Sequence, residues 1–193
     1  MHIGRVIPIL SRATFFCLLL AGLIAGDGCT WRAKSSPARG PEEYIHGVTA
    51  DTVRDDYGGW IGMKITVAAL PLRVTALGCF VLPGNSQAHT VKIVQADTGE
   101  DLASVSVALA GIPAGRFQYA ELPGPVTLQP QASYYVVTSE AIDGDQWYHS
   151  NTVVNTADAA ACDSAVYWSN VNRAWTTEAS KNNTFGPVSF RYQ

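Results

Sequence analysis

From Trp60 onward, apolar and polar residues alternate with the period of two that marks a β-strand packed on one face. The clearest run is 102–109, where Ala103, Val105, Val107 and Leu109 alternate with Ser104, Ser106 and Ala108. Residues 60–67 (WIGMKITV) and 72–81 (LRVTALGCFV) read as successive strands separated by 68–71. In the second of these the phase slips around Leu77 and Gly78, which predicts a bulge or bend at the glycine. Residues 83–86 (PGNS) form a turn signal ahead of 89–96 (HTVKIVQA), so a hairpin is expected there.

A second turn at 97–101, with Gly99 free to take a positive φ, leads into the 102–109 strand. Residues 117–122 follow, then a short 126–128 segment between Pro125 and Pro130, a spacing of prolines that suits strand ends and edges. In 133–140, Tyr134, Tyr135, Val136 and Val137 leave no polar face, which predicts a central strand buried on both sides. Beyond an Asp143-Gly144-Asp145 turn come 146–154, 161–169, 174–177 and a closing strand at 187–192. The only soft helical stretch, 157–161, is too short to form a helix that matters. About ten short strands with regular turn signals predict an all-β fold, an antiparallel β-sandwich of jelly-roll type.

Composition agrees with strands and turns over surface helices. Of 193 residues, 47% are hydrophobic and only 15% are charged, enough apolar content for one sizeable core. The N-terminus has its own pattern. Arg5 and Arg12 precede an apolar run at 13–25 (ATFFCLLLAGLIA) closed by Gly26 and Gly28, the layout of a secretory signal peptide spanning 1–28. That run falls short of the roughly 20 apolar residues that a membrane-spanning helix needs. Cys29 in GDGC resembles the acylated cysteine of bacterial lipoproteins, although Gly26 and Asp27 stand where that pattern has an aliphatic and a small neutral residue. Lipidation at Cys29 and plain cleavage near Gly26 or Gly28 are both open. Residues 29–43 read as a tether rich in Ser, Pro, Gly and mixed charge, and 44–193 as the folded domain, secreted or held in a bacterial cell envelope. Without the leader, 11 basic residues face 15 acidic ones, a formal charge of −4 against −3 for the whole chain, which disfavours a nucleic-acid partner.

The order of phrases VTALGCFV, HTVKIVQADTGEDLASVSV, GRFQYAELPGPVTLQPQASYYVV, GDQWYH and PVSFRY resembles an uncharacterised class of secreted bacterial β-sandwich modules. These are similar to carbohydrate-binding modules of jelly-roll type. The resemblance covers about 60–192 and implies a fold, not a ligand. Gln131-Ala132 stands where the class usually carries Gly before its YY strand.

Candidate chemistry is sparse. Glycan recognition needs flat rings to stack on sugar C–H faces beside groups that bond hydroxyls. Trp60, Trp147, Tyr148, Trp168 and Trp175 can supply rings, with Asp143, Asp145, Asn151 and Asn170 as polar partners, although in a small sandwich such rings also fill the core. Trp60, Trp147, Tyr148, Trp175 and Asp145 are the residues expected to bind ligand. Asp143 and Asp145 are also a candidate structural calcium site, with Glu140 near in sequence, and equally a solvated turn. His46, His89 and His149 lack metal-ligand spacing, and Ser86 in GNSQA misses the nucleophile-elbow pattern. Cys79 and Cys162 are open between a disulfide and two buried thiols. The expectation is a non-catalytic exported module binding an extracellular ligand, with glycan as the best guess. The alternative is a structural or adhesive surface protein that binds a protein partner or the cell wall.

Overall fold

The computed structural model describes residues 40–178 and 180–193. The fold is all-β, and every strand pairing is antiparallel. Fifteen strands lie among the described residues: β1 (Glu42–Glu43), β2 (Ile45–Thr49), β3 (Val53–Arg54), β4 (Gly59–Val67), β5 (Leu72–Phe80), β6 (Ala88–Gln95), β7 (Asp101–Ala108), β8 (Phe117–Leu128), β9 (Ser133–Glu140), β10 (Trp147–Tyr148), β11 (Thr152–Thr156), β12 (Ala160–Ser169), β13 (Ala174–Glu178), β14 (Asn183–Thr184) and β15 (Val188–Tyr192). They form a six-stranded sheet in the order β13-β12-β4-β9-β6-β7, a four-stranded sheet β1-β15-β5-β8, a three-stranded sheet β14-β11-β2 and the pair β10-β3.

One apolar cluster joins these sheets. Met63, Ile65, Val91, Ile93, Tyr134 and Val136 from the six-stranded sheet share it with Val74, Leu77, Val188 and Phe190 from the four-stranded sheet and with Ile45 and Val154 from the three-stranded one. Burial of each large aliphatic side chain contributes about 1.5–3 kcal/mol. Tyr44 stacks on Phe190 with ring centroids 4.5 Å apart, and its hydroxyl donates to the Ala160 carbonyl at 3.3 Å. That burial pushes the Tyr44 hydroxyl well above the ordinary tyrosine range.

Several expectations need correcting. The count rises from about ten strands to fifteen because four two- to five-residue pieces, β1, β2, β3 and β14, are too short or too polar to show a period, and because the expected strand at 146–154 is two, β10 and β11. Glu42 and Glu43, assigned to the tether, pair with Tyr192 and Arg191 and so belong to the fold. The expected leader, Cys29 and the tether as far as residue 39 lie outside the described residues. No hairpin joins β5 to β6, since β5 lies between β15 and β8 whereas β6 lies between β9 and β7 in the other large sheet.

The phase slip in β5 is real but falls between Val74 and Ala76, opposite residues 122–125, which leave the ladder altogether. Pro123 and Pro125 have no N–H to give a ladder, so 117–122 and 126–128 join into the single broken strand β8. β9 is central, between β4 and β6, but Tyr135 is only half-buried and faces outward, so burial on both sides holds for Val136, Val137 and Thr138 alone.

Cys79 and Cys162 are free and buried, on different sheets, and the expected disulfide alternative is not realised. The Cys79 thiol lies 3.4 Å from Thr138 Oγ1 and the Cys162 thiol 3.5 Å from the Asn183 carbonyl. Burial pushes both thiols up to about 12. Neither is therefore expected to react with a thiol reagent in the folded protein at pH 8. Mass mapping after unfolding without reductant should find both alkylated, and a linked peptide pair would contradict this.

The central β4–β9 pairing also sets a close approach at Gly62. A Cβ there would stand 2.1 Å from the Val136 carbonyl oxygen and 2.9 Å from Val137 Cα, both backbone. Gly62→Ala is expected to cost about 3 kcal/mol through strand displacement, read as a lowered urea midpoint.

Candidate functional site

The six-stranded sheet has two faces of different character. On β4, Ile61, Met63, Ile65 and Val67 are buried, whereas Trp60, Lys64 and Thr66 are half-buried on the opposite row. The register Tyr167↔Ile61 between β12 and β4 places Trp168 beside Trp60 on the outer row, and Trp168↔Trp175 carries that row onto β13. Trp168 and Trp175 meet edge to face at 5.3 Å, and Trp175 stacks on Tyr135 at 4.8 Å. Lys92 Nζ stands 4.0 Å above the Trp60 ring and is held there by Asp101 at 2.9 and 3.0 Å. Trp60, Lys92, Asp101, Trp168 and Trp175, with Asn170, border a shallow trough of about 380 Å³, and Tyr135 backs it through Trp175. Each ring is braced by another ring or by a cation, so little rotamer freedom is left to lose on binding.

A second aromatic cluster lies where β3 and β10 pair, with Arg54 opposite Trp147. Ile61, Trp147, Ala165 and Phe185 form a small separate core, with Tyr57 and Tyr167 packed against it. Beside it is a cleft of about 300 Å³ lined by Arg54, Tyr57, Trp147, His149, Tyr167 and Phe185, with Glu178 at its wall. The Tyr57 hydroxyl donates to the Trp168 carbonyl, so the cleft and the trough share a strut.

The Asp143-Gly144-Asp145 turn is split between solvent and interior. Asp143 is exposed, with a left-handed φ of 58°, and Asp145 is buried. Asp145 Oδ2 accepts from the Ser86 and Gln87 amides, both at 2.8 Å, and lies 3.2 Å from His89 Nε2. Its lone pairs point at N–H donors, and among the described residues no three His, Cys, Asp or Glu side chains converge as a metal cluster, so the calcium expectation at Asp143 and Asp145 finds no geometry to carry it. His89 Nδ1 faces the Ser139 carbonyl at 3.1 Å and Glu140 Oε1 at 3.2 Å. Both ring nitrogens thus face only acceptors, the setting of an imidazolium. Burial pulls the His89 pKa down, but Glu140, Asp145 and the Ser139 carbonyl outweigh it and push it up to about 9. Burial raises the Glu140 carboxyl against the pull of His89. The nearby Cys79 stays a thiol, so this cluster lacks the nucleophile and free base of a Cys–His pair and works as a clamp between two loops. Asn85 completes the clamp through Gln146, with its side chain bonded to the Gln146 N–H and carbonyl at 3.1 and 3.0 Å.

Of the expected ligand-binding residues, Trp60 and Trp175 are brought together. Trp147 is buried in the small core, Tyr148 packs 6.2 Å from Phe80 of the four-stranded sheet, and Asp145 is sequestered in the clamp. Asn170 borders the trough and its side-chain amide donates to the Gly58 carbonyl at 3.2 Å, while Asn151 is exposed, with its backbone N–H donating to Asp51 Oδ2. Tyr135 and Lys92 were missed as site residues. A signal was available for Lys92, a charged residue in the phase opposite Val91 and Ile93, whereas Tyr135 lies in an unbroken apolar run that marks no outward phase. A scan against protein-family models finds no match for the chain, and a search of curated proteins finds none either.

The His89 clamp makes stability depend on pH. A folded-state pKa raised from 6.5 to about 9 supplies stability that is full below pH 6.5 and is lost as pH rises through about 9. The urea midpoint is expected to fall between pH 7 and pH 10, and by less in His89→Gln, which should be less stable at pH 7. Equal slopes in the two proteins would contradict the clamp.

Proposed function

We propose that the chain is a non-catalytic, exported module that binds a glycan across the outer face of its six-stranded sheet. The observation that carries the reading is the braced row of Trp60, Trp168, Trp175 and Tyr135 beside Lys92, Asp101 and Asn170. Flat rings offer apolar faces to sugar C–H groups, and the flanking amide, ammonium and carboxylate match hydroxyls. A trough open to solvent suits a stretch of polymer more than an enclosed small molecule. We read the two larger sheets, with their shared apolar cluster, as the layers of a jelly-roll-like β-sandwich. The leader pattern supports placing the module outside the cytoplasm, free or held in the envelope through Cys29.

The structural or adhesive alternative calls for exposed aromatics in a flat patch instead of a groove. Trp60, Trp168 and Trp175 instead border a trough that they share with Lys92, Asp101 and Asn170, which supports the glycan reading over it.

Affinity electrophoresis against a panel of soluble polysaccharides tests this. At least one polymer is expected to retard the wild type. Trp60→Ala with Trp175→Ala should weaken that retardation about tenfold with the fold intact, because each lost stacking contact is worth about 0.5–1.5 kcal/mol. Tyr148→Ala should leave it unchanged. Retention of no polymer, or equal retention of the double variant, would sink the reading.

A further inference from the structure

The cleft beside the small core has chemistry that the glycan reading does not use. Its rings stand at steep angles to one another. Tyr57 and Tyr167 are 6.1 Å apart at 82°, Tyr167 and Phe185 6.0 Å apart at 86°, and Trp147 and Phe185 5.9 Å apart at 72°. Rings set this way turn faces and edges in different directions and form the sides of a box instead of a flat platform. One of them already serves a cation, since Arg54 Cζ lies 5.2 Å from the Trp147 ring centroid.

The fixed charges around the box are unbalanced. Arg54 is the one guanidinium, and it is tied to Asp56 through two hydrogen bonds of 2.8 and 2.9 Å. Glu178 lines the cleft and acts on Arg54 only through space, and Asp51 lies 3.5 Å from His149 Nδ1. Asp56 and Glu178, the two carboxylates that act on Arg54, therefore outnumber its one guanidinium. An anionic ligand would meet repulsion here, and a sugar would find few hydroxyl partners. A positive group that needs no hydrogen bond would find aromatic walls and a net negative field.

The geometry points to a second, independent site in this cleft that takes a small alkylammonium ion, with its N-methyl groups against Tyr57, Tyr167 and Phe185 and its charge compensated by Glu178. A cleft of about 300 Å³ is at the small end for ligand sites, which fits a compact onium group and not a larger cofactor. Trp147, expected to stack on sugar, here forms part of the wall behind Arg54.

Isothermal titration of the full chain with choline chloride, with 3,3-dimethylbutan-1-ol as the neutral isostere and sodium chloride as the salt control, tests the proposal. Choline is expected to saturate one site with Kd on the order of 1 mM, and the isostere to bind at least about tenfold more weakly. Glu178→Gln, a change at an exposed side chain, should weaken choline severalfold with the melting temperature unchanged. Tyr167→Leu should weaken it about tenfold. Trp60→Ala with Trp175→Ala should leave choline binding intact, which separates this site from the glycan surface. Cosedimentation with phosphatidylcholine vesicles tells a lipid headgroup from a free ion as the source. Absence of saturation by choline, isostere binding as tight as choline, or unchanged affinity in both Glu178→Gln and Tyr167→Leu would overturn the proposal.

Discussion

A single extra residue in β12 decides which aromatic side chains face where. Between Cys162 and Ser164 the register against β4 shifts by one, so that Cys162 lies opposite Ile65 and Ser164 opposite Lys64. Because side chains alternate strictly, an extra residue swaps every position beyond it to the other face. Because the bulge takes up Asp163, that swap does not occur: Ala165 and Tyr167 continue the buried row of Met63 and Ile61, and Trp168 joins the outer row of Trp60. In a regular ladder with Asp163 opposite Lys64, Tyr167 would fall on the outer row and Trp168 on the inner one, and both aromatic sites would be dismantled. Asp163 is held in place by the Thr66 hydroxyl at 2.7 Å, which also meets Ser133 at 2.8 Å, so a chain of polar contacts across three strands fixes the bulge.

The buried clamp solves a different problem. The 141–146 turn carries Ile142 and Asp143 into solvent, and the Asp143 N–H donates to the Asp55 carbonyl at 2.8 Å. Its anchor is electrostatic: the Asp145 carboxylate and Glu140 converge on one imidazole, and the Ser86 and Gln87 amides come to the same carboxylate oxygen. Such a cluster is costly to bury unless every member is paired, so removing one partner strands the others. A turn locked in this way presents little free carboxylate, which is why the acidic pair that dominates the sequence here makes a poor ligand site.

Strand identity was legible where a period of two, or an unbroken β-branched and aromatic run as in β9, extended over several residues. β4, β6, β7, β9 and β15 fall within a residue or two of their sequence-based bounds. Pairing was not legible in the same way. The turn at 83–86 looks like a hairpin because local sequence encodes chain reversal, whereas β5 and β6 diverge into different sheets for reasons that rest on their long-range partners Val188 and Val136. The candidate site was half visible. Trp60 and Trp175 could be named as rings, but that they share a surface while Trp147 does not depends on the β12 bulge and on the β3–β10 pairing. The two-residue strand β3 gives no period to read.

The two aromatic surfaces, though chemically separate, lean on one side chain. Tyr57 meets Tyr167 edge to face in the cleft, and its hydroxyl bonds the carbonyl of Trp168, whose ring belongs to the trough. Its ring lies over Gly59, where φ is 146° and a Cβ would come within 2.9 Å of the Tyr57 ring carbon Cζ. A glycine at the first position of β4 is therefore required twice, by its backbone angle and by the ring above it. Burial at this strut raises the Tyr57 hydroxyl, consistent with a neutral donor aimed at a carbonyl. Tyr57 fixes the end of β12 against the start of β4, the place where the chain turns one aromatic residue inward and its neighbour outward. The backbone that orients Tyr167 for the cleft and Trp168 for the trough is thus held at both ends, by the Asp163 bulge on one side and by the Tyr57 hydroxyl on the other.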